Sequence, residues 1–372
     1  MLPIPPPSDG VLAIEVLTLL IINAIAFGGN LLVCVASYRN PRLRTTTNLY
    51  VIALAISDIL AASITMPLTL AAIVTGRWSF GVVACNVQGF FVHFLIYASM
   101  HTMALTAINR YFRIVKPQKY KRIFQKRRAT TLLVLVWMTV GVVVGLPPIC
   151  GWARFDFRPG KSLYMCILYF ETKAGEVTFL LTILVFYVLL SLIVMATSYV
   201  HVSRTIKEHN MQVFSSLRRV SGISVEEIRI TKTLFVLVLA FTVCWIPVYT
   251  VVSIIRSGLG DLTNAGSVFA SLVIFLTSAI NPFAYAFRSQ SFREEFQRIL
   301  TCHCRPILPD RQLSGISMDR FNVSDSGITR SRYGERGDAK TSINSKTSGE
   351  SMGGACHVIT DNPAFVPSPG EE

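Results

Sequence analysis

The chain has 372 residues, of which 52% are hydrophobic and only 15% are charged, and its mean hydropathy is +0.51. A composition this apolar excludes an ordinary soluble protein of two domains. The net charge of +14 would suit a nucleic-acid-binding protein, but the basic residues are spread over separate loops instead of forming one patch on a soluble module. Nucleic-acid binding is therefore excluded as well.

Seven apolar segments are each long enough to cross a bilayer, and we number them as spans one to seven: 12–38, 48–74, 84–112, 129–149, 176–202, 231–256 and 265–287. The loops on one side of these segments hold 29 of the 35 lysines and arginines, and the loops on the other side hold 6. Because cytoplasmic loops carry the basic excess, the N-terminus is predicted to lie outside the cell and the C-terminus in the cytoplasm. Residues 1–10 lack the basic start of a signal peptide, so span one is expected to direct its own insertion.

Spans one and two each carry a strongly polar residue at membrane depth. Asn30 is predicted to form a structural hydrogen bond between helices, because an amide in lipid needs a partner. Asp58 is an ionisable residue in the hydrocarbon region and therefore a candidate functional residue, with a structural hydrogen-bond role as the alternative. Met66-Pro67 is predicted to kink span two.

Span three begins near Cys85 and ends at Asn109-Arg110-Tyr111. The 25 residues between Cys85 and Arg110 correspond to about 37 Å of helix, enough to place the thiol at one membrane face and the guanidinium at the other. Of the eight cysteines, only Cys85 and Cys166 clearly lie on the oxidising outer side, so they are predicted to form a disulfide bond.

Spans six and seven each contain a proline. Pro247 follows Trp245 by two residues and makes a hinge possible, and Asn281-Pro282 interrupts the backbone hydrogen bonds of span seven. Residues 288–300 place Phe292, Phe296, Ile299 and Leu300 at helical spacing, which is typical of an amphipathic helix on the inner leaflet.

The chain is therefore predicted to be an all-α membrane protein with four regions. These are an extracellular segment (1–11), a seven-helix bundle (12–287), an amphipathic eighth helix (288–300) and a disordered cytoplasmic tail (301–372) with 15 serines and threonines. Cys302 and Cys304 follow the amphipathic helix directly and are candidates for lipidation.

Taken together, these motifs resemble those of rhodopsin-like (class A) G-protein-coupled receptors over nearly all of 12–300. The resemblance rests on residues that fall in the expected spans and order: Asn30, 54–58, Cys85, Asn109-Arg110-Tyr111, Trp137, Cys244-Trp245-Ile246-Pro247 and Asn281-Pro282-Phe283-Ala284-Tyr285.

The resemblance implies a receptor in the plasma membrane that binds a small extracellular ligand and activates a heterotrimeric G protein by outward movement of span six. It implies further partners, namely arrestin and receptor kinases at the Ser/Thr-rich tail, and membrane lipid around the bundle. In the resting state Arg110 would pair with Glu227. The other implied switch and hinge residues are Asn109, Tyr111, Tyr199, Phe241, Trp245, Pro247, Asn281, Pro282 and Tyr285.

Two candidate binding sites follow from the same resemblance. A mainly apolar ligand pocket would be lined by Val92, His93, Ile96, Ile167, Trp245, Tyr249 and Phe275. An allosteric sodium ion would be held by Asp58, Ser99, Ser278 and Asn281, whose oxygen atoms suit a hard cation. No covalent cofactor and no other metal are expected.

Several departures from the family pattern bear on the ligand and on signalling. Asn109 replaces the usual aspartate before Arg110, so we expect raised basal activity. The Asn-Arg-Tyr triplet is similar to that of melatonin receptors. Two features differ from them: span seven has Asn281-Pro282, and span five lacks the histidine typical of those receptors. Val92 occupies the place of the carboxylate of amine receptors, and Phe275 the place of the retinal-binding lysine of opsins.

Other function classes remain as alternatives, including an opsin-like receptor without the retinal lysine. A transporter or channel would be favoured by internal repeats, but spans one to three show no match to spans five to seven. The sequence shows no arrangement of nucleophiles or metal ligands typical of an enzyme.

Overall fold

The computed structural model describes residues 8–158, 163–215, 225–256 and 263–301, and within 209–288 it leaves some helical side chains undescribed. The predicted disordered tail and the lipidation candidates Cys302 and Cys304 lie outside these residues.

Long helices occupy all seven predicted spans. Their bounds, in chain order, are Asp9–Arg39, Thr46–Leu60 continued by Met66–Thr75, Gly81–Val115, Lys126–Ile149, Lys173–Thr182 continued by Leu190–Ser215, Val225–Arg256 and Asn264–Arg288. Within the described residues, six of these are long and apolar enough to cross a bilayer, and span six contains the apolar stretch Val238–Thr250.

Spans two and five each contain a π-helical turn, at Ala61–Thr65 and Ile183–Leu189 respectively. The turn in span two directly precedes the Met66-Pro67 step at which the sequence predicts a kink. Such turns add a residue to a helical repeat and change which side chains face the bundle.

Short elements connect the spans. They are a 3₁₀ turn (Pro41–Leu43), a helix (Pro117–Ile123), two antiparallel strands, β1 (Ala153–Asp156) and β2 (Ile167–Phe170), and a final helix (Gln290–Leu300). The strands place Ala153 opposite Phe170 and Asp156 opposite Ile167.

Local chemistry explains where several spans begin and end. Thr45, Thr172 and Thr263 each accept a hydrogen bond from a backbone N–H in the first turn of spans two, five and seven, which is the usual role of an N-cap threonine. Span two ends at Gly76, whose φ of 65° is a left-handed conformation that glycine adopts without steric cost.

Polar residues lie inside the bundle, and aliphatic residues cover its outer surface. Asn30, Asp58, Asn109 and Arg110 are all buried, whereas Leu17, Val134 and Ile193 are exposed. This arrangement is expected when lipid surrounds the protein. Asn30 donates hydrogen bonds to the backbone oxygens of Ala26 (2.8 Å) and Ser278 (3.0 Å), so the predicted bond between helices is present and joins span one to span seven.

The final helix, Gln290–Leu300, packs partly against the protein itself. Its residues Phe292 and Phe296 are buried, and the ring of Phe292 lies 5.7 Å from that of Tyr285 in span seven. Leu300 is exposed. The apolar face predicted from the sequence is therefore divided between the bundle and the surface.

Candidate ligand cavity and inner switch

The outer half of the bundle contains a cavity of about 290 Å³ between spans three, five and six and strand β2. We call it the outer cavity. Six of the seven residues predicted for a ligand pocket line it: Val92, His93, Ile96, Ile167, Trp245 and Tyr249. The seventh, Phe275, is buried and lines a different cavity below it.

The loop that contains β1 and β2 covers the outer cavity. Cys85 and Cys166 are joined by a disulfide bond, which confirms the pairing predicted from their location. The backbone N–H of Cys166 donates to Gln88 Oε1 at 2.9 Å, and that of Tyr164 donates to the Ser271 hydroxyl at 3.1 Å. These bonds attach the loop to spans three and seven, and we refer to residues 163–170 as the lid.

A close approach of β1 to span three also depends on one glycine. A side-chain Cβ at Gly89 would lie 2.4 Å from the ring of Phe155, which is shorter than any van der Waals contact allows. The ring of Phe155 in turn lies 5.9 Å from that of His93. Gly89 thus permits β1 to pack directly against span three, next to the cavity-lining His93.

An aromatic series follows one face of span six. The ring of Trp245 lies 5.5 Å from that of Phe241 and 5.3 Å from that of Tyr249, at helical spacing of four residues. Phe241 and Trp245 are buried. Pro247 lies in the same helix, but its side chain lies outside the described set.

Three aromatic residues that the sequence analysis did not assign to the pocket lie beside it. Tyr97 lines the outer cavity, its ring is 5.7 Å from that of Tyr187 in span five, and Tyr187 is 4.8 Å from His101. The four-residue spacing of His93, Tyr97 and His101 places them on one helix face, which is the signal that could have found Tyr97.

Trp245 also lines a second, smaller cavity of about 50 Å³, which we call the lower cavity. Val92, Ile96 and Ile274 likewise line both cavities, so these side chains form the partition between them. The lower cavity brings together all four residues predicted for a sodium site: Asp58, Ser99, Ser278 and Asn281.

Hydrogen bonds connect three spans around the lower cavity. The amide of Asn281 donates to Asp58 Oδ2 at 2.6 Å, and the hydroxyls of Ser57 and Ser99 lie 2.9 Å apart. The carboxylate, hydroxyl and amide oxygens around this space are the donor types that a hard cation prefers. No cluster of three or more His, Cys, Asp or Glu side chains suited to a transition metal occurs among the residues that the structure describes.

At the inner end of span three, Arg110 is only 1% exposed. Its neighbour Asn109 is fully buried and accepts a hydrogen bond from the Thr47 hydroxyl of span two at 2.8 Å. The ring of Tyr111 lies 5.8 Å from that of His201 in span five. The side chain of Glu227, the predicted partner of Arg110, lies outside the described residues.

Two tyrosines of other spans, Tyr199 and Tyr285, are also buried. Tyr199 of span five lies close to Arg110, and Tyr285 of span seven lies close to Tyr199. Neither hydroxyl has a hydrogen-bond partner among the described residues. The inner end of the bundle thus holds the buried Arg110 beside Tyr199, with Tyr285 next to that tyrosine.

Most of the bundle matches a known protein family. Residues 29–285 match the family described as 7 transmembrane receptor (rhodopsin family). The chain belongs to the rhodopsin family of seven-transmembrane receptors. It is therefore a multi-pass membrane protein of the class A G-protein-coupled receptor family, and its fold is the seven-helix bundle of that family.

The individual proteins to which this receptor is similar belong to different receptor types. It is 28% identical over 334 residues to the histamine H2 receptor of Canis lupus familiaris, covering 87% of this chain and 88% of that protein. It is 31% identical over 293 residues to melanopsin-B of Xenopus laevis, covering 76% and 54% of the two chains. With the melatonin receptor type 1A of Ovis aries the identity is 26% over 304 residues, covering 80% of each.

Among solved structures, squid rhodopsin resembles this receptor with a TM-score of 0.67 and 22% sequence identity, over 82% of this chain and 90% of that one. At this level of identity the likeness concerns the fold. Nothing about the ligand is carried over from it.

Proposed function

We propose that this receptor binds a small, weakly polar or aromatic extracellular ligand in the outer cavity and activates a heterotrimeric G protein by outward movement of span six. The observation that carries the proposal is the position of Trp245, which lines both the outer cavity and the lower cavity. A ligand that presses on Trp245 therefore acts on a residue that also touches the polar centre of the bundle.

The mechanism follows from this shared wall. Agonist binding favours the conformation in which Trp245 and the helix segment around Pro247 have shifted, and that shift moves the inner half of span six outward. In the resting state Arg110 pairs with Glu227 and keeps the inner cleft closed. Parting that pair frees Arg110, Tyr199 and Tyr285 to contact the G-protein α subunit.

The lower cavity is proposed to hold an allosteric sodium ion. Its space of about 50 Å³ exceeds the roughly 10–15 Å³ that one water needs, so a cation with part of its hydration fits. Asp58 would supply the charge, and Ser99, Ser278 and Asn281 would supply neutral oxygens. A cation held there supplies positive charge that favours whichever conformation keeps these oxygens together.

The remaining parts of the proposal concern the cell. The receptor is proposed to act in the plasma membrane with its N-terminus outside, to be bound by arrestin and receptor kinases through the Ser/Thr-rich tail, and to carry a lipid on Cys302 or Cys304. The basic inner loops support this orientation.

Two ligand classes suggested by relatives are not favoured by the residues present. Val92, which lines the outer cavity, has no charge to offer the amine that the name of the histamine receptor implies. Phe275 cannot form the Schiff base by which an opsin holds retinal.

The test of the receptor function is nucleotide exchange. Membranes that contain the full chain are expected to accelerate exchange of GDP for GTP on at least one member of a panel of Gα subunits. Arg110→Ala is expected to abolish the acceleration, whereas Arg77→Ala, at the outer end of span two, is expected to leave it unchanged. The proposal is contradicted if the receptor is expressed and folded but accelerates nucleotide exchange on no Gα of the panel, both without ligand and in the presence of a small-molecule library.

A further inference from the structure

The wall that span five contributes to the outer cavity contains side chains that are strongly exposed. Val177, Leu181 and Leu184 line the cavity, yet they are 55%, 54% and 45% exposed. Ile183 in the same helix also lines the cavity but is buried, and the buried Tyr187 faces Tyr97 of span three. Since the exposed residues follow one another at intervals of four and three, they form a continuous stripe on one side of span five.

The depth of this stripe decides what surrounds it. Span five begins at Lys173, so Leu181 and Leu184 lie about 12 and 16 Å further along the helix axis. At that depth an exposed aliphatic side chain faces hydrocarbon and not water. The stripe therefore contacts the lipid on one side and the outer cavity on the other.

Span six provides the opposite edge. Val248 and Val252 line the cavity together with Trp245 and Tyr249, and all four follow one face of the helix. Leu181 and Leu184 are absent from the buried core to which these span-six residues belong. The cavity thus reaches the lipid-facing surface between the outer halves of spans five and six, and we call this opening the lateral portal.

The described part of the outer loop covers the cavity on its aqueous side. Met165 and Cys166 in the lid are fully buried, and Leu168 is nearly so. The disulfide bond and the hydrogen bonds to Gln88 and Ser271 attach this segment at both sides of the bundle. A ligand that arrived from water along this route would have to detach the lid.

We propose that the ligand of this receptor is a lipophilic molecule that dissolves in the bilayer and reaches the outer cavity through the lateral portal between spans five and six. The inference rests on the receptor function proposed above and assigns to it a ligand class and a route. The lining fits such a molecule, because the residues on both sides of the portal are aliphatic and the end of the path is the aromatic face of Trp245 and Tyr249.

The test uses trifluoromethyl-phenyldiazirine, a photoactivated reagent that partitions into bilayers, on the full chain in lipid vesicles. Illumination is expected to label Trp245 and Tyr249 inside the cavity as well as the lipid-facing Ile193. In Leu184→Trp, whose larger side chain fills the portal, labelling of Trp245 and Tyr249 is expected to be lost and that of Ile193 retained. Leu181→Trp serves as a second variant at the same opening, should the first fail to fold.

Leu190→Trp is the matched control. Leu190 is in the same helix and 50% exposed, but it does not line the outer cavity. This variant is expected to keep wild-type labelling of Tyr249. The proposal is overturned by wild-type protein in which Ile193 is labelled and Trp245 and Tyr249 are not, or by equal loss of cavity labelling in Leu184→Trp and Leu190→Trp.

A water-soluble diazirine distinguishes the two routes. It is expected to label exposed loop residues such as Trp152 and to leave Tyr249 unlabelled, and labelling of Tyr249 from water in both wild type and Leu184→Trp would also overturn the proposal. Failure of the receptor function itself is distinguishable from either result, because labelling does not depend on a G protein. If the cavity residues are labelled as expected but the protein accelerates nucleotide exchange on no Gα, the result supports the route of entry and excludes the signalling role.

Discussion

Asn109, the residue before Arg110, is fully buried and bonded to span two. Its Oδ1 accepts a hydrogen bond from Thr47, whereas its Nδ2 is buried and has no partner among the described residues. An amide carries no charge, so it cannot hold the neighbouring Arg110 as a carboxylate would. The structure thus attaches Asn109 to span two without adding an electrostatic restraint on the arginine.

We therefore predict that Asn109→Asp lowers basal activity. A carboxylate at this place would still accept the Thr47 hydroxyl and would add a charge-assisted interaction with Arg110 of about 1 kcal/mol, which corresponds to roughly a fivefold change in the resting equilibrium. Ligand-free nucleotide exchange on the responsive Gα is the measurement.

Asn109→Ala is the control for this prediction, because it removes the amide without adding charge. It is expected not to lower basal exchange. An exchange rate in Asn109→Asp that equals or exceeds that of the wild type would contradict the explanation.

At the scale of elements, the packing of span one on span seven depends on a glycine. A Cβ at Gly29 would lie 2.7 Å from Pro282 Cγ and 2.8 Å from Pro282 Cβ, so the two helices approach there more closely than any larger residue allows. Asn30, the next residue, donates to the backbone of Ser278 one turn away. The contact thus supports the Asn281-Pro282 segment from the outside of the bundle.

Gly29→Ala is accordingly expected to lower stability by about 1–3 kcal/mol, because the added methyl forces the helices apart. Thermal unfolding of the detergent-solubilised receptor measures this. Gly28→Ala offers a matched comparison, since a Cβ at Gly28 meets nothing within 4 Å and the same change of residue is expected to be neutral or slightly stabilising. Equal effects of both substitutions would show that the close approach to Pro282 does not matter.

At the scale of the whole molecule, the lower cavity connects three helices at their centre. Asp58 in span two accepts a hydrogen bond from Asn281 in span seven, while Ser99 in span three bonds to Ser57. Because the outer cavity shares the wall at Trp245 with this centre, the ligand and the cation that we propose for the two cavities would act on the same packing. Two sites coupled in this way influence each other reciprocally.

The sodium proposal predicts a salt-specific change in stability. Thermal unfolding in sodium chloride is expected to occur at a higher temperature than in choline chloride at equal ionic strength, corresponding to about 1 kcal/mol when sodium exceeds its dissociation constant several-fold. Asp58→Asn is expected to remove the difference between the two salts.

Ser63→Ala, on an exposed part of span two, serves as the control and is expected to retain the difference. An Asp58→Asn receptor that is still stabilised by sodium over choline would exclude Asp58 as the ligand of the ion.

The sequence was informative about the candidate site to different degrees at different residues. Six of the seven residues predicted for the ligand pocket line the outer cavity, and all four residues predicted for the sodium site line the lower cavity. These residues could be predicted because they lie at fixed intervals from the buried motif residues. Phe275, predicted for the ligand pocket, lines the lower cavity instead, because each residue step turns a helix by about 100° and in span seven it is the neighbouring Ile274 that faces both cavities. Tyr97 and the lid residue Met165 were missed, although Ile167 of the same lid was predicted. The helical spacing of Tyr97 from His93 could have identified it, whereas Met165 lies in a loop without such a periodicity.

What the sequence by itself determined follows from the bilayer. The thickness of the bilayer sets the length of the spans, and the distribution of basic residues predicts which loops face the cytoplasm. The same predicted orientation places Cys85 and Cys166 on the oxidising side, and these two cysteines form the disulfide bond. The rotation of each helix was decided only by the tertiary structure. The π-helical turn at Ile183–Leu189 changes which side chains of span five face the bundle, and no proline in the sequence indicates it. The lateral portal that we propose depends on Leu181 and Leu184, which line the outer cavity without being buried.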